Sequence, residues 1–321
     1  MDEKARLELI KRNVIEVLNP ENLQKLLKGK KKPVAYCGYE VSGEIHVGHL
    51  VTITKLMDLQ RAGFHVKVLF ADWHTWLNRK GEWNSIHEQT RAWKKGFEAA
   101  GLKDAEYILG SEFQRKIEYI DDVLLLSLKT TLNRSLRSMQ QVGRELDTAK
   151  VSQVIYPLMQ IADIKHLKVD IAYGGIEQRK IHALAVETLN DIGYEAPVFI
   201  HTPLICSLKG PGSKMSSSVP ESMISIRDSK EEISKKIQNA YCNASVVEEN
   251  PILDILKLII FPRAKSFTIR RDKKYGGNIE FDDYNELERD FAENKIHPLD
   301  LKRAVADRLD EILSEIRKNF S

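Results

Sequence analysis

Two short apolar runs constrain this chain more than any other feature. Residues 33–38 (PVAYCG) and 66–71 (VKVLFA) are nearly unbroken in hydrophobicity, without the in-out alternation of a half-exposed strand. Such runs are the signature of strands covered on both faces. Between them lies a helical repeat from Ile45 to Arg61, with Gly63 placed to end it. After the second run comes another helical repeat, 83–100, stopped by Gly101, and then a third strand-like run at 105–109. Strand, helix, strand, helix in this order predicts an α/β fold, a Rossmann-like parallel sheet with crossover helices. The same alternation resumes later. A helix is expected over 151–167, a strand at 171–173 leading into Gly174-Gly175, a helix over 178–192 and a last strand at 197–201. Residues 115–150 read as a helical insertion between the two halves. Residues 3–18 read as an opening amphipathic helix, with Leu7, Ile10, Val14 and Val17 on one stripe and Asn19-Pro20 as its stop.

Beyond Ser218 the pattern changes. Helices are expected near 230–241, 251–260, 284–294 and 298–320, the last with Leu301, Val305, Leu309, Ile312, Ile316 and Phe320 on one stripe and Pro298 in its first turn. The expected organisation is therefore an α/β domain over 1–218 and an α-helical domain over 219–321. With 42% hydrophobic and 30% charged residues, the chain can bury a core and stay in water. No run approaches the roughly 18 to 20 apolar residues of a membrane span, and the opening MDEKARLELIKRN has no signal-peptide core. Cys37, Cys206 and Cys242 are scattered, which suggests neither disulfides nor a zinc site, and a reducing cytoplasm is the expected location. Net charge is only +3, but basic residues cluster at Lys28, Lys30, Lys31 and Lys32, at Arg134 and Arg137, and over 265–274. Each cluster alone reads equally as solvated surface or as a phosphate contact.

Two motifs carry chemistry. In Gly43-Glu44-Ile45-His46-Val47-Gly48-His49, the imidazoles of His46 and His49 are three apart at a helix start, beside first-turn backbone amides and the positive end of the helix dipole. The segment follows a buried strand, where open α/β sheets hold ligands. In Lys214-Met215-Ser216-Ser217-Ser218, a lysine and hydroxyls sit on a loop, 209–218, loosened by Gly210, Pro211 and Gly212. Lys214 can neutralise charge on a leaving pyrophosphate, and the serines can donate to phosphate oxygens. Either motif alone could be a surface helix start or a polar linker; the pair points to a triphosphate. The P-loop, dinucleotide, GxSxG and HExxH patterns are all missing.

Tyr156, Gln160 and Asp163 fall at i, i+4 and i+7 on an otherwise apolar helix. They form either a solvated face or one wall of a pocket. Gln178, just after Gly174-Gly175, is a candidate for the same pocket, and Tyr36 is either a core aromatic or a pocket wall.

Taken together these segments resemble the tyrosyl-tRNA synthetases of archaeal and eukaryotic type, in class I. The matching pieces cover nearly the whole chain: AYCGYEVSGEIHVGH, LFADWHTWLN, GSEFQ, LKTTLNRSLRSM, VIYPLMQIADI, GGIEQRKIH, KMSSS, KYGGN and HPLDLK. The histidine motif and KMSSS fit any class I synthetase, whereas YPLMQIAD and GGIEQRKIH narrow the likeness to the tyrosine and tryptophan pair. The resemblance implies that Tyr36 and Asp163 bond the substrate phenol and that Tyr156, Gln160 and Gln178 hold its ammonium end. It implies that His46, His49, Lys214 and Ser217 act in catalysis, with Gly48, Met215 and Ser216 also at the ATP. Mg²⁺ would accompany the ATP, with no metal held by the protein alone. It places Arg137, Arg179 and Lys180 on the first base pair of the tRNA(Tyr) acceptor stem, and Tyr275 and Asp300 on the anticodon. It also implies a homodimer formed through the helical insertion. Asp300 has a second reading, as a first-turn acid favourable to the helix dipole.

Two departures stand out. Val41 replaces the usual proline before Ser-Gly, and KMSSS lacks the second lysine of KMSKS. Alternatives are a tryptophanyl-tRNA synthetase, a nucleotidyltransferase outside tRNA charging, and a non-catalytic RNA-binding relative.

Overall fold

The computed structural model describes residues 1–29, 31–143 and 146–320, so Lys30 of the first basic cluster and residues 144–145 of the insertion lie outside the described residues. Contacts divide the chain into two compact units. The first comprises residues 1–42, 55–94 and 102–203, and the second residues 43–54, 95–101 and 204–321.

In the first unit Asp2 caps helix α1 (Glu3–Lys11) by accepting from the Ala5 amide at 2.8 Å. The helix expected to run to residue 18 stops here. Asn13 turns left-handed at φ 57°, and Glu16–Leu18 form strand β1. Val14, Ile15 and Val17 are β-branched, and asparagine tolerates the left-handed region, so the local preference already leans toward a strand. The sheet edge then supplies hydrogen-bond partners that a lone helix end lacks. Asn19-Pro20 starts a helix rather than stopping one: α2 (Pro20–Gly29) has proline at its first position and buries Leu23 and Leu27.

Strands β2 (Val34–Tyr39), β3 (His65–Phe70), β4 (Glu106–Leu109), β5 (Ile171–Gly175) and β6 (Val198–Thr202) are parallel, with β1 antiparallel on the edge, in the order β1-β6-β5-β2-β3-β4. The α/β expectation holds, with one added edge strand. Helices α3 (Val47–Arg61), α4 (Asp72–Leu77) and α5 (Trp83–Ala99) lie between successive strands in the chain. From β2 the chain continues toward β3 and β4, whereas β5 continues to β6 on the other side. That reversal is the point at which open α/β sheets bind ligands, outside the carboxyl ends of the strands. The turn after β5 sits there, and Tyr36, midway along β2, lies opposite Ala172 of β5.

The insertion is helical as expected, with α6 (Ile117–Lys129) and α7 (Leu132–Ser138), followed by α8 (Val151–His166) and α9 (Arg179–Thr188). Leu158, Ile161 and Ala162 of α8 join Tyr36, Tyr119 and Phe199 in one buried cluster. Each large side chain buried in this way contributes about 1.5–3 kcal/mol, which fixes the rotation of α8 and so the direction of its polar stripe.

The second unit contains α10 (Lys230–Asn239), closed at its start by a Ser229–Glu232 capping box. A continuous helical stretch over 251–263 follows, made of α11 (Pro251–Ile255), a π-helical turn and α12 (Phe261–Arg263). A hairpin of β7 (Phe267–Ile269) and β8 (Ile279–Phe281) interrupts the expected run of helices. Then come α13 (Tyr284–Ala292) and α14 (Pro298–Phe320). The buried stripe of α14 is Leu301, Val305, Leu309, Leu313 and Ile316, with Leu313 taking the place expected for Ile312.

Candidate active site

The first unit brings the predicted polar stripe to the sheet. Asp163 is wholly buried, and its Oδ1 accepts from Gln114 Nε2 at 2.8 Å and from the Tyr119 hydroxyl at 2.9 Å. Its Oδ2 is buried without a hydrogen-bond partner, and the nearest basic nitrogen, His74 Nε2, is 3.6 Å away, too far for a hydrogen bond. Burial raises the Asp163 carboxyl to about 7, against the pull of the Gln114 and Tyr119 donors. Tyr36 is buried as well, and its phenol is raised well above its ordinary value by burial and then by the Asp163 charge. Tyr36 is thus a core aromatic of the buried cluster around α8, and its hydroxyl feels the Asp163 charge.

The remaining stripe residues meet polar groups of neighbouring elements. Tyr156 packs its ring edge-on to His74, with centroids 4.7 Å apart, and its hydroxyl meets Glu40. Gln160 Nε2 donates to Gln178 Oε1 at 3.2 Å. Burial lowers His74 to about 3, so its imidazole is neutral. Glu40 is held by Lys80 and by Asn78 Nδ2, the latter at 2.8 Å. Val41 stands where a proline was expected, and its amide donates to Thr75 Oγ1 at 2.9 Å. A proline has no hydrogen for that bond, so the departure adds a tether to the turn.

In the second unit the rings of His46 and His49 lie 4.1 Å apart at the start of α3. His46 Nδ1 accepts from the Gly48 amide at 3.0 Å, and His49 Nδ1 accepts from the His46 amide at 3.1 Å. A neutral imidazole that accepts at Nδ1 carries its proton on Nε2. Burial, and then Lys214, lower His46 to about 4; burial, and then His46, lower His49 well below its ordinary value. Both rings are therefore neutral Nε2–H donors. One expectation needs correction. The first-turn amides are not left for a ligand: Val47 donates to Ile224 O, Gly48 to His46 Nδ1, and His49 to His46 O. Helix-start amides seek partners, and here the fold supplies them.

Lys214 and the serines come to the same place. A side chain on Gly43, which has φ 70°, would lie 2.6 Å from Ser217 Oγ, so the first motif and the serine loop touch there. Residue 46 forms a β-bridge with Ser225, and Ile226 N donates to Ile45 O at 3.1 Å. Met215 is buried and its amide donates to Ile205 O, while Lys214 itself is exposed. Ser216 is braced by Ser222, whose hydroxyl donates to Ser216 O at 3.1 Å. The loop is thus anchored at Met215 and Ser216, with Lys214 extended from it.

The basic residues fall on separate elements. Arg137 on α7 lines a cleft of about 530 Å³ with Asn133, Leu136, Gln140 and Asp147. Lys180 bonds to Gln140, which joins two of the three basic residues at that cleft. Arg179 instead donates through Nε to Glu16 Oε1 of β1 at 2.7 Å. Tyr275 is 62% exposed on the turn of the β7–β8 hairpin. Asp300 lies in the first turn of α14, with Arg303 Nη1 3.9 Å away. Arg271 links the hairpin to the approach to α14 by donating to Gly277 O and Lys295 O.

Four residues around the stripe have no counterpart among the sequence candidates: Gln114 and Tyr119, which bond Asp163, His74 beside it, and Glu40 beside Tyr156. His74 lies within LFADWHTWLN and Gln114 ends GSEFQ. Both segments carry a polar residue just beyond a strand of the parallel sheet, a signal that could have found them.

The family model for class I tRNA synthetases (W and Y) matches residues 28–314. The tyrosine--tRNA ligase of Archaeoglobus fulgidus is 52% identical over 322 residues, covering 100% of this chain and 99% of that protein. That of Methanosarcina mazei is 49% identical over 315 residues, covering 98% of each. A crystal structure of tyrosyl-tRNA synthetase complexed with L-tyrosine from Archaeoglobus fulgidus superposes with a TM-score of 0.96 at 51% identity, covering all of both chains. A tryptophanyl-tRNA synthetase from Aeropyrum pernix, 21% identical, superposes with a TM-score of 0.74 over 94% of this chain and 81% of its own, and shows the shared fold alone.

Proposed function

The chain belongs to the class I tRNA synthetases of the tryptophan and tyrosine family, and on that footing we propose that it is a tyrosine–tRNA ligase, which activates L-tyrosine with ATP and passes the tyrosyl group to tRNA(Tyr). The observation that carries the choice of tyrosine is the buried Asp163 carboxylate, whose Oδ2 has no partner in the described residues. A phenol donates to it, whereas phenylalanine leaves it orphaned, at a cost of about 1–3 kcal/mol or more.

Activation needs no protein nucleophile. An oxygen of the tyrosine carboxylate attacks the α-phosphorus of Mg·ATP, the bond to the bridging β-phosphate oxygen breaks, and pyrophosphate leaves. The magnesium comes with the triphosphate. Tyr36 and Asp163 hold the phenol, and Tyr156, Gln160 and Gln178 orient the ammonium end. His46 and His49 offer neutral Nε2–H donors to phosphate oxygens. Lys214 and Ser217 meet the charge that grows on the leaving pyrophosphate, with Gly48, Met215 and Ser216 shaping the nucleotide's place. Catalysis is then positioning and charge stabilisation. In the second step a terminal-ribose hydroxyl of the tRNA attacks the tyrosyl carbonyl, and AMP leaves.

Arg137, Arg179 and Lys180 are read as contacts to the first acceptor base pair, and Tyr275 and Asp300 as contacts to the anticodon. An exposed aromatic ring and a carboxylate suit stacking and acceptance from guanine N–H groups. Residues 1–218 are read as the catalytic domain and 219–321 as the anticodon-binding domain. A homodimer is supported by α6, which buries Tyr119, Val123 and Leu126 on one side while Ile117, Leu124 and Leu128 on the other are 57–80% exposed. Such a helix needs a cover. The three free, buried cysteines suit a reducing cytoplasm, and no described helix is long and apolar enough to cross a membrane. The test is charging of a tRNA(Tyr) transcript with labelled tyrosine or tryptophan. Ester formation with tyrosine alone supports the reading, and ester formation with tryptophan overturns it.

A further inference from the structure

We propose that Tyr119 and Gln114 are positioning residues for tyrosine recognition: together they hold Asp163 ionised by one oxygen and leave the other to the substrate, and the Tyr119 hydroxyl turns with the Asp163 proton. The inference rests on the reading of Asp163 as the phenol acceptor.

Both donors meet the same atom, Oδ1, at 2.8 and 2.9 Å, and neither meets Oδ2. The carboxylate is therefore clamped from one side. The Tyr119 hydroxyl has one proton but two acceptors, Asp163 Oδ1 at 2.9 Å and Met159 O at 2.8 Å. Met159 and Asp163 stand four apart within α8, so Met159 O already receives the Asp163 amide of the helix ladder. The Tyr119 proton is thus available to the ionised carboxylate, the stronger acceptor. When Asp163 takes up a proton on Oδ1, the order reverses. The acid donates to the Tyr119 oxygen, and the Tyr119 proton turns to Met159 O. Every donor is used in both states, so the pair passes between them without stranding a buried group.

The groups facing Asp163 make this clamp necessary. Tyr36 comes from β2, Asp72 and His74 from α4, Gln114 from the segment after β4, Tyr119 from α6 and Tyr156 from α8 itself. None is a cation, since burial holds His74 neutral, and Asp72 adds negative charge. Two neutral donors stand in for the missing counter-ion. Removing one raises the pH at which the carboxylate forms.

The test is calorimetric binding of L-tyrosine and L-phenylalanine from about pH 6 to pH 9, in buffers of different ionisation enthalpy so that protons released are counted. In the unaltered protein, tyrosine affinity should fall by about fivefold on the acid side, the difference between a charged and a neutral acceptor, with proton release near the midpoint. Phenylalanine affinity should stay level. Tyr119→Phe should move the tyrosine midpoint up by about one pH unit and change the alkaline limit by less than about twofold. Gln114→Leu, which removes the other donor, should move it the same way and serves if Tyr119→Phe does not fold. A loss of affinity equal at every pH, with the midpoint unmoved in both variants, overturns the proposal. Absence of tyrosine binding by the unaltered protein at any pH defeats the underlying reading instead, and the proposal with it.

Discussion

A methyl group at residue 48 probes the histidine pair more sharply than removal of either ring. Built on Gly48, it would lie 2.7 Å from His46 Cε1 and 2.9 Å from Nδ1, where ordinary contact begins at 3.4 Å. The ring must retreat by about 0.7 Å, the difference between 3.4 and 2.7. It cannot do so and keep its 3.0 Å bond from the Gly48 amide, and His49 blocks one direction at 4.1 Å between centroids. Folding should hardly notice. The lost bond costs about 1 kcal/mol, and alanine in place of glycine in a helix returns up to about 1 kcal/mol. Chemistry should notice strongly, because a donor aimed at developing charge is worth about 10²–10³ in kcat and a misplacement near 1 Å can cost about 10². Gly48→Ala is thus expected to lower kcat for tyrosine-dependent ATP–pyrophosphate exchange by about 100-fold. Thermal unfolding should shift by no more than a few degrees, and the KM for tyrosine should stay within about twofold. An unchanged kcat in the folded variant would refute the tautomer and donor reasoning.

Asp300→Ala should lower charging of tRNA(Tyr) by about tenfold or more, a contact worth 1–3 kcal/mol, while exchange without tRNA is unchanged; equal loss of both means that Asp300 holds the fold instead. Leu128→Glu places a charge on an 80% exposed position of α6, and sedimentation should show the mass falling from two chains to one without loss of helix signal. The histidine contribution to stability should fall on acidification, opposed over the same range by Asp163, whose carboxyl is raised to about 7. His46 and His74 are lowered to about 4 and 3 in the fold from an ordinary 6.5, so the unfolded chain takes up their protons first. Their contribution is whole above about pH 6.5 and is lost as pH falls toward those values. At pH 5 each has lost about 2 kcal/mol, one and a half pH units at 1.36 kcal/mol each, and the change in urea midpoint between pH 7 and pH 5, compared with that of His74→Gln, measures it.

The parallel sheet was legible because strands buried on both faces have no freedom to be polar: residues 34–39 and 65–70 could hardly be anything else. The helix starting beyond His46 was legible for a similar reason. Residues 12–19 were misread because Leu7, Ile10, Val14 and Val17 satisfy a helical period, while the deciding contact, Val17 opposite Ile200, lies 183 residues away (200 − 17). The β7–β8 hairpin escaped because its three-residue strands are shorter than any period can reveal. Around Asp163, the residues Tyr156, Gln160 and Asp163 were legible as one stripe of one helix. Gln114 and Tyr119 were not, since their importance lies in reaching Asp163 from 49 and 44 positions away. Local pattern shows which face of a helix is polar, and only the folded chain shows what that face meets.

The most direct test of the central claim is amino-acid-dependent ATP–pyrophosphate exchange, with tyrosine, tryptophan and phenylalanine measured side by side. Exchange supported by tyrosine alone is the predicted result, because it requires both the neutral histidine donors and the Asp163 pocket. Exchange with tryptophan, or none with tyrosine in a folded protein, would contradict it.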